Sequence, residues 1–197
     1  MKTAYGRLLQ GAAACLLAAF AATAVAADSS QTGNAGKNGT TLAVTSSAFG
    51  NNQTMPSRFT CDGQDTSPPI SWTGMPTNAK SLALIVEDPD VPDHAAPKRT
   101  ATHWLLYNIP PSVSGLPEGV SDKDLPSGTL QGRNEWRRTG YGGPCPPIGQ
   151  HRYFFRLYVL DTMLPDLKRP GKAKLENAIK GHIIARGELI GLYQKQK

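Results

Sequence analysis

A chain of 197 residues, 39% hydrophobic and 18% charged, has room for one domain of ordinary size with a buried core, and no internal repeat suggests more. Its formal net charge of +6 is a mild excess. Nucleic-acid binders cluster their cations with exposed aromatics, and here only Arg133, Trp136, Arg137 and Arg138 come close, so a nucleic-acid partner is not expected.

Residues 1–26 read as a separate object. Lys2 and Arg7 give a positive start, residues 8–25 are apolar and rich in Ala, and Ala24-Val25-Ala26 suits a signal-peptide cleavage site. A permanent membrane anchor needs about 20 strongly apolar residues, whereas this run is mostly Ala and meets Asp28-Ser29-Ser30 at once, so no stable membrane insertion is expected after cleavage. Cys15 lies in the middle of the apolar run, where a lipidated cysteine should close it. The expected destination is periplasmic or secreted. Cleavage removes two cations and no acid, leaving a net charge of +4.

Residues 27–40 are dominated by Ser, Thr, Gln, Asn and Gly, too few apolar groups to offset the entropy of ordering, and are expected to form a disordered leader. The domain then occupies residues 41–197. Its expected strands are 42–46, 81–88, 103–109, 153–160 and 185–193, each rich in Val, Ile, Leu, Phe or Tyr and bounded by Pro, Gly, Asn or Asp. That spacing predicts an all-β sandwich. A helical pattern occurs over 172–180, where Leu175, Ala178 and Ile179 share a face and Gly181 stands at the expected stop. The Gly- and Pro-rich stretch 111–142 predicts a long functional loop.

Three segments carry the chemistry. Glu87-Asp88-Pro89-Asp90-Val91-Pro92 ends an apolar run, and Thr102-His103-Trp104-Leu105-Leu106-Tyr107-Asn108-Ile109-Pro110 begins another. Gly142-Gly143-Pro144-Cys145-Pro146-Pro147-Ile148-Gly149-Gln150-His151-Arg152-Tyr153-Phe154-Phe155 joins a stiff loop to an aromatic strand. Prolines lack a donor and cannot join a sheet interior, while glycines let the backbone approach something closely. A ligand suits that loop. Pro89 restricts Asp88 to extended backbone, so Asp88, His103 and His151 are each expected at a strand end.

Taken together, the spaced pattern D-P-D-x-P, H-W-x-L-Y-N-I-P and G-P-C-P-P-x-G-x-H-R-Y-F-F resembles the phosphatidylethanolamine-binding protein family, in its bacterial, Raf kinase inhibitor-like branch. Phe59-Thr60-Cys61-Asp62-Gly63 and Gln131-Gly132-Arg133-Asn134 extend the resemblance over roughly residues 42–194. It implies a Greek-key β-sandwich of antiparallel sheets with a short C-terminal helix, and an anion-binding cavity walled by Asp88, His103, Gly143, Pro144, His151 and Tyr153. In that cavity Asp88 orients an imidazole, and the imidazoles and the Tyr153 hydroxyl donate to the oxygens of a phosphate-like head group. Truncating Asp88, His103 or His151 is then expected to weaken binding while sparing the fold. Asn134 is implied to fix the 111–142 loop.

Some alternatives stay open at this point. Cys61 and Cys145 are the two cysteines left after processing, and export permits a bridge, yet similar cysteines occur in relatives from reducing compartments. Left free, Cys145 could pair with His151 as a nucleophile. No Ser sits in a Gly-x-Ser-x-Gly elbow. His94, His103, His151 and Asp88 match no zinc spacing, so neither metal nor other cofactor is expected. Arg152 falls on the strand face opposite His151 and Tyr153 and is expected to form a structural ion pair. The resemblance implies a binding module and not an enzyme. Its runner-up is an inhibitor that contacts a kinase or protease through the rim loops, and a homodimer stays open.

Overall fold

The computed structural model describes residues 42–196, so the expected signal segment 1–26 and leader 27–40 lie outside the described residues. Alternating and fully apolar runs become strands β1 (Ala43–Thr45), β2 (Gln53–Thr54), β3 (Ile70–Thr73), β4 (Ser81–Val91), β5 (Arg99–Ile109), β6 (Gly115–Leu116), β7 (Leu130–Gln131), β8 (Gln150–Leu160) and β9 (Ile183–Gln194), with helix α1 (Lys172–Ile179) between the last two. Six strands order as β2-β9-β8-β4-β5-β7 and three as β1-β3-β6. Hairpin β4–β5 is joined to hairpin β8–β9 because β8 returns to lie against β4.

Both sheets bury side chains in one core: Val44, Ile70, Trp72 and Leu116 from the small sheet meet Leu82, Leu84, Trp104, Leu106, Phe155, Leu157 and Leu189 from the large one. This is the sandwich the strand pattern predicts. The outer face of the large sheet carries a second cluster, in which Ala83, Ile85, Leu105 and Tyr107 receive Leu175 and Ile179 of α1. Residues 83 and 85 face one way and 82, 84 and 86 the other, as the two-residue period of a strand requires.

Three features differ from the sequence expectation. The sheets are not wholly antiparallel, since β2 runs parallel to β9. Asp88 and His103 do not end strands: β4 continues through Pro89 to Val91, and β5 starts four residues before His103. Both extensions lie beyond register shifts, with Trp104 opposite Val86 and Thr102 opposite Glu87, then Asp88 opposite Ala101 and Val91 opposite Arg99. Pro89 does not stop β4 but falls in a bulge within a longer strand, and His103 sits in another.

Candidate functional site

The first of those bulges positions the central side chain. Trp104 faces the sandwich core, so alternation would turn His103 to the outer face, toward α1. Because His103 is the extra residue between the Trp104–Val86 and Thr102–Glu87 pairs, it escapes that alternation. Its ring meets Tyr153 edge-on, with centroids 5.2 Å apart, and meets Trp136 at 5.4 Å. His151 and Tyr153 reach the same place by ordinary alternation, two residues apart on β8 and in step with the core residues Phe155 and Leu157.

Asp88 closes the group. Its Oδ2 accepts from His151 Nδ1 at 2.8 Å and its Oδ1 from the Asp90 backbone N–H at 2.8 Å, so both carboxylate oxygens are engaged. His151 is fully engaged too, because its Nε2 lies 3.1 Å from the Ile148 carbonyl. Both ring nitrogens face acceptors. His151 is thus the internal partner of Asp88 and is not free to donate to an anion, which revises the role expected for it.

His103 differs. Its Nδ1 lies 2.6 Å from the Gly142 carbonyl and must donate there, while burial pushes its imidazole pKa down despite that bond and the charges of Asp88, Glu135 and Asp65. The ring is neutral, so Nε2 carries a lone pair, and nothing among the described residues donates to it. The Tyr153 hydroxyl is buried without a hydrogen-bond partner. Burial first, and then the charge and closeness of the Asp88 carboxylate, hold it far above the usual phenol range, so it keeps its proton; Asp88 is an acceptor beside it, but the pair falls short of normal hydrogen-bond geometry. A buried hydroxyl left unpaired costs about 1–3 kcal/mol, which points to a ligand or water as its missing partner.

The rim is a strap of residues 141–145 tied to the turn after Phe59. Gly143 N–H donates to Asp65 Oδ1 at 2.6 Å, Cys61 N–H to the Pro144 carbonyl at 3.0 Å, and Tyr141 Oη to the Phe59 carbonyl at 2.9 Å. A disulfide joins Cys61 to Cys145, with Cα atoms 5.4 Å apart. A bridged Cys145 is no nucleophile, so the Cys–His alternative falls. Glycine is required at 142, where a Cβ would run into the Trp136 indole, and at 143, where it would lie 2.5 Å from the Phe59 carbonyl. Gly143 and Pro144 are buried, and they wall the cluster with backbone and ring atoms.

Loop 134–140 carries Trp136 to this rim, and Asn134 fixes it. Asn134 Oδ1 accepts from the N–H groups of Trp136 and Arg138, and its Nδ2 donates to the Gly140 carbonyl. The wider stretch expected as one loop also contains β6 and β7. Arg152, outside the cluster, gives its backbone N–H and two guanidinium nitrogens to Asp90. Burial opposes ionisation of Asp90, but the bonds from Arg152 and His94 outweigh it and hold the carboxyl far below its ordinary range. Asp65 and the bulge at His103 had no recognisable signal in the sequence; Trp136 did, as an aromatic in a Gly-bounded loop.

Two cavities open elsewhere. One of about 650 Å³ lies beside Val44, Tyr158 and Arg186, and one of about 390 Å³ beside Tyr107, Gln131 and Arg169. Several of their polar groups are paired, Arg156 with Glu188 in the first and Tyr107 with Asp166 and Gln131 with Asp122 in the second. The Asp88 cluster holds the buried Tyr153 hydroxyl without a hydrogen-bond partner, beside the His103 ring and within the segments that carry the family pattern, and that favours it.

Comparison with known proteins agrees with the geometry. The family model described as phosphatidylethanolamine-binding protein matches residues 45–194. The UPF0098 protein of Methanothermobacter thermautotrophicus is 52% identical over 151 residues, covering 75% of this chain and 95% of that protein. Among solved structures, the phosphatidylethanolamine-binding protein homolog CT736 of Chlamydia trachomatis is 42% identical, with a TM-score of 0.72 over 80% of this chain and 99% of that one. YbcL of Escherichia coli, described as a member of the mammalian PEBP family, is 31% identical with a TM-score of 0.71, over 79% and 99%.

Proposed function

The chain belongs to the phosphatidylethanolamine-binding protein family, and from that membership and the unpaired Tyr153 hydroxyl of the Asp88 cluster we propose that it is an exported, non-enzymatic protein that binds a small oxyanion. The observation that carries this reading is the buried Tyr153 hydroxyl with no hydrogen-bond partner, beside a neutral His103. A phosphate or phosphate-bearing head group supplies the missing acceptor for Tyr153. Asp88 and His151 act through each other and hold the neighbouring backbone, so they are positioning residues. Arg152 is consumed by Asp90 and attracts nothing.

Calorimetric titration of methyl phosphate into wild type and Tyr153→Phe tests it. Removing a hydroxyl that has no partner costs the fold little, whereas losing a hydrogen bond to a charged group weakens binding about ten-fold or more. Equal affinity in both proteins removes Tyr153 from the account, and no binding to either removes the anion site. Export rests on the residue pattern at 1–26, and amino-terminal sequencing of protein from the native host tests it, with a start near Ala27 expected and a retained Met1 contrary.

A second reading has its own observation. Trp136 is 48% exposed at the rim and flanked by exposed Arg137 and Arg138, a composition that recurs at the centres of protein interfaces. An inhibitor of a protease or kinase acting through this loop would lose activity on Trp136→Ala and keep it on Tyr153→Phe. The small-anion binder shows the reverse.

A further inference from the structure

Nothing in the cluster supplies a free cation. His151 is bonded to Asp88, Arg152 spends its charge on Asp90, and Asp88 adds a carboxylate beside the Tyr153 hydroxyl. Each further negative charge brought here meets an anion in a poorly solvated place and is disfavoured. The two atoms that want partners are also unlike one another. Tyr153 Oη offers a proton. His103 Nε2 offers a lone pair, because the Nδ1 proton is committed to Gly142.

We infer that the group bound here is a protonated oxyanion, a phosphomonoester monoanion with one P–OH and no second negative charge, whose hydroxyl donates to His103 Nε2 while another oxygen accepts from Tyr153. This deepens the anion-site reading above and rests on it. The consequence runs against the ligand in the family's name: a phosphodiester, as in a phospholipid head group, has an anionic oxygen but no hydroxyl, and it leaves His103 Nε2 without a donor. Free phosphomonoesters are therefore the ligand class, and membrane lipid is not. The groups around His103 that govern its proton are Asp88, Glu135 and Asp65, whose charges favour a second proton, together with the Gly142 carbonyl. The rings of Tyr153 and Trp136 pack edge-on against it.

Three probes separate the possibilities by calorimetry on the oxidised protein in phosphate-free buffer. Methyl phosphate below its second ionisation, roughly 6 for a phosphomonoester, carries one charge and one hydroxyl. Methyl sulfate has the same shape and charge without the hydroxyl, and dimethyl phosphate stands for the diester of a lipid head group. At about pH 5, methyl phosphate is expected to bind about ten-fold or more tighter than either, the worth of one hydrogen bond to a charged group. Raising the pH to about 8 converts it to the dianion and weakens it about ten-fold or more, while methyl sulfate changes little because its own charge does not. His103→Phe, which keeps a flat ring and removes the lone pair, brings methyl phosphate down to the affinity of methyl sulfate. Equal binding of methyl sulfate or dimethyl phosphate by wild type overturns the inference and leaves the anion site standing, as does tighter binding of methyl phosphate at the higher pH. Absence of binding by all three probes overturns the anion site itself and this inference with it.

Discussion

Glu87 and Asp88 are neighbours on β4, both carboxylates, and both nearly inaccessible at 3% exposure, yet they sit in opposite kinds of environment. Glu87 faces the outer side of the large sheet, where Arg156 of β8 and Lys172 of α1 meet its two oxygens, and each of those cations also holds another carboxylate, Glu188 and Glu176. Asp88 faces the sandwich interior and closes a pair with His151, beside which His103 and Tyr153 keep unused atoms. One cluster meets its carboxylate with cations, although Glu87 Oε2 has only the Lys172 ammonium at 3.1 Å and no hydrogen bond of normal geometry; the other keeps a neutral hydroxyl with no cation beside it. Neither a buried polar group nor a single unpaired atom therefore marks a site alone; the absence of any charge partner for Tyr153 is what separates the two.

The contrast can be broken from the side of the rim first. Only the Asp88 side is covalently tied, by a bridge between residues 84 positions apart. Replacing both Cys61 and Cys145 by Ser is expected to cost about 4–5 kcal/mol through the entropy returned to the unfolded chain, read as a fall in the urea midpoint. A midpoint unchanged from wild type would mean that the hydrogen bonds of Asp65, Cys61 and Tyr141 hold the rim by themselves.

Asp88→Ala comes next. It strands the His151 ring and the Asp90 N–H in a dry place, and breaking a buried pair from one side costs about 3–4 kcal/mol. The fold is thus not spared, contrary to what a strand-end carboxylate would predict, and urea unfolding of the variant measures the difference. A smaller effect belongs to Glu87→Gln, at about 1–2 kcal/mol, because Arg156 and Lys172 are partly exposed and keep Glu188 and Glu176. Should Glu87→Gln prove as costly as Asp88→Ala, the two clusters would be equally rigid and the distinction would lose its energetic basis.

Asp90 makes its full contribution at neutral pH and loses it in acid. Its folded carboxyl is held below the unfolded value of about 3.9, so it contributes stability above that value, and the contribution is lost as pH falls from about 4 toward 2. Asp90→Asn should flatten the urea midpoint over that window. An equally steep loss in the variant would assign acid sensitivity to other carboxylates.

How much of this was legible in the sequence depends on what each residue's signal was about. The four long strands and the helix follow from runs such as Leu82 to Val86 and from Leu175, Ala178 and Ile179, whose periods report burial directly. β2, β6 and β7 have two residues each and carry no period to read. Site residues were nameable because histidine, aspartate and proline recur in a spaced pattern. Their division of labour was not, since it turns on bulges and on which ring nitrogen meets which carbonyl. Pro89 announced an interruption of β4 but not that the strand resumes beyond it. Nothing in Thr102-His103-Trp104 says that His103 is the extra residue, because a bulge depends on the partner strand.

The account's central claim is that His103 waits with a bare Nε2 for a ligand's proton while Glu87 is held by the cations of Arg156 and Lys172. Nitrogen NMR of protein labelled at both histidine and arginine, at neutral pH, reads this directly, since a protonated ring nitrogen and a bare one resonate far apart. The expected spectrum has His103 protonated at Nδ1 alone, and a saturable shift of its Nε2 signal on adding methyl phosphate, with the side-chain signal of Arg156 unmoved. A His103 ring protonated at Nε2, or an Nε2 signal unmoved at the highest ligand concentration, would contradict it.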